Sequence, residues 1–183
     1  MARLREIPES EMDEAQRAAV AEAVSGVRGR IPAPMRAWIA SPELASRAQK
    51  LGEFLRYGTA LGPRLSELAI LVTARAWTSQ YEWFIHEKAA REAGLDERII
   101  EAVAARRTPS FSDEKERVVY EVALTLHAER RLPDALYDEA KHLLGERPLA
   151  ELIGVLGYYT LVSMTLNVFE IGVPAETPDP LAP

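Results

Sequence analysis

No cysteine occurs anywhere in the 183 residues. That absence removes disulfides, thiolate nucleophiles and thiol peroxidase chemistry together, because each needs a sulfur that ionises or is oxidised. Basic charge is also scarce and scattered: 22 Lys and Arg stand against 28 Asp and Glu, a net charge of −6 with no basic block. Nucleic acid is held by concentrated Lys/Arg faces, so no nucleic-acid partner is expected. The opening residues, MARLREIPESEMDE, carry no apolar signal core, so a cytoplasmic protein is expected. Strand-like alternation of useful length is missing too. One long charge-free run exists, Leu152 to Phe169, but Gly154, Gly157, Thr160, Ser163, Thr165 and Asn167 interrupt it. It reads as a buried core or subunit-interface helix, and no membrane partner is expected.

What is present is helical punctuation. Hydrophobic residues make up 48% and charged ones 27%, ordinary for a globular chain of this length, and one domain over 1–183 is expected. Ser10 to Val24 reads as a first amphipathic helix, with Ser10 and Asp13 as a capping-type start. Gly26 to Pro34 is a linker, and PMRAWIA is a helical turn on the core. Ser41-Pro42 opens a helix to about Tyr57, and Pro63 opens the next. Helices follow over Gln80 to about Ala93, ended by Gly94, and over Asp96 to Arg106. Ser112 caps a long helix to about Glu129, and Pro133 to Leu144 and Pro148 to Ile171 complete the set. The fold is all-α, about seven or eight helices, with a core over about 42–174 and a loosely held Pro-rich tail over 175–183.

The chemistry concentrates in ELAILVTARAWTSQYEWFIH, Glu67 to His86. Glu67 lies inside an almost continuous apolar run, where an ionised carboxylate is costly unless partnered. It either serves His86 as a proton partner or makes a structural pair with Arg64, Arg75 or Arg56. Ser79, Glu82 and His86 share one helical stripe within roughly 60 degrees. Imidazole titrates nearest neutral pH, which makes His86 the candidate general acid/base and Glu82 a second proton-transfer or polarising group. Ser-x-x-Glu is equally a capping box, in which Ser79 and Glu82 merely start a helix. Glu82 and His86 could share an ion, but no second histidine lies close in sequence, and no metal site is expected. Ser79, Arg56, Tyr57, Trp83, Tyr158 and Asn167 are the candidate substrate contacts, offering aromatic walls and a few polar groups. A weak internal echo, Glu67-x11-Ser79 against Glu151-x11-Ser163, raises the question of a structural repeat.

The spacing Glu67-x11-Ser79-x2-Glu82-x3-His86 resembles that of the alkyl hydroperoxidase D-like superfamily, whose redox members carry Cys-x-x-Cys at the Ser79 and Glu82 positions. The surrounding LGEFLRYGTALGPRLSELAILVTARAWTSQYEWFIHEKAAREAGL resembles its cysteine-free branch, the carboxymuconolactone decarboxylase family. The resemblance implies a helical bundle, a proton relay through Glu67 and His86, and a homo-oligomer, trimer or hexamer. It also implies a lyase that decarboxylates a small carboxylated lactone or ring acid in aromatic-compound catabolism, with no cofactor. Two other readings stay open: a non-catalytic small-molecule binder of the same fold, and a metal-assisted hydrolase or oxygenase.

Overall fold

The structure is a computed structural model describing residues 3–27 and 29–183. Among the described residues it is all-helical: a 3-10 turn at Glu9–Glu11, then α1 (Glu14–Ser25), α2 (Met35–Trp38), α3 (Pro42–Tyr57), α4 (Pro63–Ala76), α5 (Gln80–Glu92), α6 (Glu97–Ala104), α7 (Glu114–Glu129), α8 (Asp134–Leu144) and α9 (Glu146–Val168). The expected seven or eight become nine because the short turn in PMRAWIA closes as a helix of its own.

Helix α4 is the axis. Every residue from Leu65 to Arg75 is buried, and α5, α6, α7 and α9 all pack on it. A helix apolar all round can only be stable enclosed in this way. Pro63 at its first turn supplies the fixed φ the start requires, and Gly62 before it takes φ +76. At the far end the chain turns through Trp77 and Thr78, the latter at φ +44, and re-enters helix at Gln80. This is the break expected between Glu67 and Ser79, and it folds α5 back against α4.

Several boundaries differ from the sequence reading for local chemical reasons. Asp13, not Ser10, caps α1: its carboxylate accepts the Gln16 amide N–H and the Gln16 side chain accepts the Asp13 N–H. Asp113, not Ser112, caps α7, accepting the Lys115 N–H. In both starts a carboxylate accepts a free first-turn N–H and places negative charge at the positive end of the helix. Helix α9 begins at Glu146, two residues before Pro148, after Gly145 turns at φ +88. The tail expected to be loosely held is anchored at one point: Leu181 is buried, and its backbone N–H and carbonyl both bond the Gln80 side chain.

Helix α9 is long and apolar enough to cross a membrane, yet 56% of its most apolar window is buried inside the fold. It serves here as a core helix, with Leu152, Val155, Tyr159 and Val162 turned inward. The internal echo ends at this helix: Glu151 and Ser163 lie on one unbroken helix, whereas Glu67 and Ser79 straddle the α4–α5 corner. The matching spacing is coincidental.

Candidate functional site

Helix α5 lays Glu82 and His86 one turn apart on the face that meets α4 and α9, and both are buried. Glu67 approaches from α4. Its Oε2 lies 2.6 Å from His86 Nδ1, while Glu82 Oε1 lies 2.9 Å from His86 Nε2. The imidazole is thus held between two carboxyl groups, one on each nitrogen. From α3, Arg56 Nε comes to 4.0 Å of Glu67 Oε1. Two carboxylates, one imidazolium and one guanidinium sum to zero, which makes so polar a cluster tolerable in the interior.

Burial of His86 opposes its protonation, but the charges of Glu67 and Glu82, with their hydrogen bonds, outweigh that and raise its pKa from 6.5 to about 9. At neutral pH the ring is therefore an imidazolium that donates to both carboxylates. Glu67, Glu82 and His86 do not converge on a shared point, since each carboxyl group faces a different edge of the ring.

The polar cluster opens on one side to a hollow of about 40 Å³. Glu82, His86 and Arg56 reach its wall, while Glu67 stands behind His86, outside the lining. Tyr159 packs edge-on against the His86 ring at 5.0 Å, Tyr158 packs edge-on against Tyr159 at 5.3 Å, and Trp38 continues the series at 6.3 Å from Tyr158. Such perpendicular contacts fix ring orientation as well as burying area. Tyr158 fits only because position 52 is glycine: a Cβ there would collide with the phenol. A larger groove of about 350 Å³ lies next door and shares Pro32, Ala33 and Tyr81 with the hollow, so these three form the partition.

Of the residues expected at the site, Glu67, Glu82, His86, Arg56 and Tyr158 come together. The others do not. Tyr57 is half exposed and lies under the Arg56 guanidinium, 100 degrees around α3 from the inward face. Trp83 is wholly buried in the core on a different side of α5. Asn167 is exposed and donates to the Trp77 carbonyl at 2.8 Å, tying α9 to the α4–α5 corner. Ser79 occupies the N-cap of α5, but its hydroxyl makes no cap bond, is fully buried, and is absent from the hollow's lining. The capping box is likewise not formed, because the Glu82 carboxylate turns to His86 instead.

Sequence reasoning missed the contribution of the linker: Arg30, Pro32, Ala33 and Pro34 line the hollow, with Ile85 and Val162. Ile85 was recoverable, since it precedes His86 and follows Glu82 by three on the same helical stripe. The linker residues carry no periodicity and could not be placed from spacing.

An all-α bundle with a carboxyl–imidazole–carboxyl cluster at the wall of a hollow defines the class. Residues 42–125 match the model of the Carboxymuconolactone decarboxylase family. The fold is similar to a protein of unknown function from Agrobacterium tumefaciens, described as a putative antioxidant defence protein AhpD, with TM-score 0.67, 20% identity, and 76% of this chain and 97% of that one covered. It is also similar to an uncharacterized peroxidase-related protein from Silicibacter sp. TM1040, with TM-score 0.76, 16% identity, and 96% and 93% covered. A third similar structure is the debrominase Bmp8 in its apo form, with TM-score 0.72, 14% identity, and 92% and 90% covered. No curated protein matches the chain significantly. The family match spans residues 42–125, and the three similar structures share the all-α fold.

Proposed function

We propose that the protein is a cofactor-independent acid/base lyase that decarboxylates a small carboxylated lactone or related ring acid. The observation that carries this reading is the buried imidazole of His86, held between the carboxyl groups of Glu67 and Glu82 at the wall of a hollow that Arg56 also reaches. A thiol route is closed by composition, as the chain has no cysteine.

In the proposed reaction the carbon–carbon bond to the substrate carboxylate breaks and carbon dioxide departs. The electron pair passes into the lactone carbonyl, and a proton returns to carbon. His86 is the proton source, handing it over through Glu82, which faces the hollow; Glu67 is a positioning residue that keeps the ring oriented and charged. Arg56 supplies a planar guanidinium for a carboxylate or for the developing enolate oxygen. As it stands the hollow has room for a few waters at most. The reading therefore requires Pro32, Ala33 and Tyr81 to yield, joining it to the adjoining groove of about 350 Å³, which falls in the size range of small-molecule sites.

The reading includes self-association. Ile153, Leu161, Met164 and Val168 leave an exposed apolar stripe along the charge-free helix α9, which a second copy would cover. Light scattering should give a mass above that of one chain, reduced by Met164→Lys; a monomer at all concentrations removes this part.

The central test is incubation of the purified protein with carboxymuconolactone and related ring acids, following carbon dioxide release. Turnover that is abolished in His86→Gln supports the assignment. Turnover that is unchanged in that variant, or absent from the parent protein with every carboxylated lactone tried, refutes it.

A further inference from the structure

A second cavity, of about 220 Å³, lies at the other end of α4 and shares no lining residue with the His86 hollow. From Glu67 to Arg75 the axis of α4 advances roughly 12 Å. Three of the second cavity's lining residues are arginines: Arg75 from α4, and Arg106 and Arg107 from the turn after α6. None of the three makes an ion pair with any described residue, in a chain with six more acids than bases. Arg75 is only 6% exposed, and its Nε is buried without a protein partner.

The guanidiniums are drawn together. Arg75 Nη1 and Arg106 Nη2 both donate to the Thr78 hydroxyl, each at 3.0 Å. Two backbone positions in this contact, Thr78 at φ +44 and Arg106 at φ +55, adopt the left-handed conformation that side chains with a Cβ resist. Burial and the neighbouring Arg106 both lower the pKa of Arg75, the signature of a cation lacking a counter-charge.

A plainer account is that arginines gather where α4 and α6 both end, facing the negative ends of two helices. Each terminus carries about half a unit of negative charge. Two of them offset about one of three positive charges and leave the remainder unmatched.

We propose that this cavity is an anion-binding site for a small phosphorylated molecule: Arg75, Arg106 and Arg107 receive the phosphate, and Val72, Val103 and Leu124 receive the organic group it carries. A multiply charged oxyanion matches three guanidiniums better than a single carboxylate does, and guanidinium geometry suits bidentate contact with phosphate oxygens. The apolar residues on the same cavity wall provide a surface that inorganic phosphate alone would leave unused.

The test is calorimetric titration of the full chain with inorganic phosphate, phenyl phosphate and benzoate, against chloride at matched ionic strength. Saturable binding of one phosphate per chain is expected, tighter for phenyl phosphate, and weakened at least tenfold in Arg106→Gln and in Arg107→Gln. Without phosphate, Arg106→Gln should melt no lower than the parent, since it removes a like charge; with phosphate the parent should melt higher. Phosphate binding no tighter than chloride, or equal binding by the variants, overturns the site. Benzoate binding without phosphate binding overturns the ligand class. A dimer that Arg106→Gln dissociates, with no phosphate binding, would assign the arginines to carboxylates of a second copy and overturn the proposal as well.

Discussion

Glu67 and Arg75 are two ionisable side chains on the same helix, each 6% exposed, and they are treated in opposite ways. Glu67 has a histidine at 2.6 Å and an arginine at 4.0 Å. Arg75 has one hydroxyl, an unpartnered Nε and a second arginine nearby. Burial alone therefore does not say whether a charge is accommodated; the sign and number of its neighbours do. The α5 end of the contrast is a closed account of charge, suited to holding a proton in place. The α6 end is open and awaits a negative charge.

The largest effect expected concerns the closed end. With a productive substrate in hand, His86→Gln should lower turnover by about 10²–10⁴-fold, the usual contribution of a positioned acid/base. Stability should separate the two ends next. Removing one member of a buried ion pair costs about 3–5 kcal/mol, so Glu67→Leu should lower the denaturation midpoint markedly. Arg75→Leu, measured in chloride, should change stability by less than about 1 kcal/mol or raise it, since it deletes an unmatched cation. Equal losses in the two variants would break the contrast.

A pH series sharpens it further. The folded pKa of His86, about 9, is raised above the ordinary 6.5. Its contribution is therefore fully present below pH 6.5 and is lost as pH rises through 9. Two and a half pH units correspond to on the order of 3 kcal/mol. Chemical denaturation between pH 6 and 10 should show stability falling across that window, with a shallower fall in Glu67→Leu. A flat profile in the parent would mean that the ring is neutral in the fold.

Much of this arrangement was legible beforehand. A lone acid in an apolar run must find a partner, and the i, i+4 register of Glu82 and His86 fixed their common face whatever the tertiary structure. The helix break at Trp77-Thr78 was visible as the point where the apolar run ended. Which of three arginines would meet Glu67 was not visible. Arg64 turned to Asp113 and Glu116, Arg75 to Thr78, and only Arg56 came near. That choice depends on how α3 rotates against α4, which no spacing on either helix encodes. Trp83 and Tyr57 stand off the hollow for the same reason: each is one step, 100 degrees, from a residue that does reach it. The arginine cavity was illegible because Arg75 and Arg106 meet only through the fold.

The smallest effect expected tests how tightly the closed end is built. Gly52 is in the middle of α3, where alanine is normally preferred by about 1 kcal/mol. An added Cβ would meet the Tyr158 phenol, so the ring must move, and overpacking of this kind costs about 1–3 kcal/mol. The two terms oppose each other, and the net loss should be about 0–2 kcal/mol. Tyr158 is packed on Tyr159, and Tyr159 on His86, so displacement should pass along the rings to the imidazole. Gly52→Ala should therefore shift the His86 titration seen by NMR by more than its small stability loss suggests. Combining it with Tyr158→Phe, which removes the oxygen nearest the new Cβ, should recover part of both. A Gly52→Ala protein that is more stable than the parent, with an unmoved His86 titration, would show that the aromatic series is slack and that the carboxylates alone hold the ring.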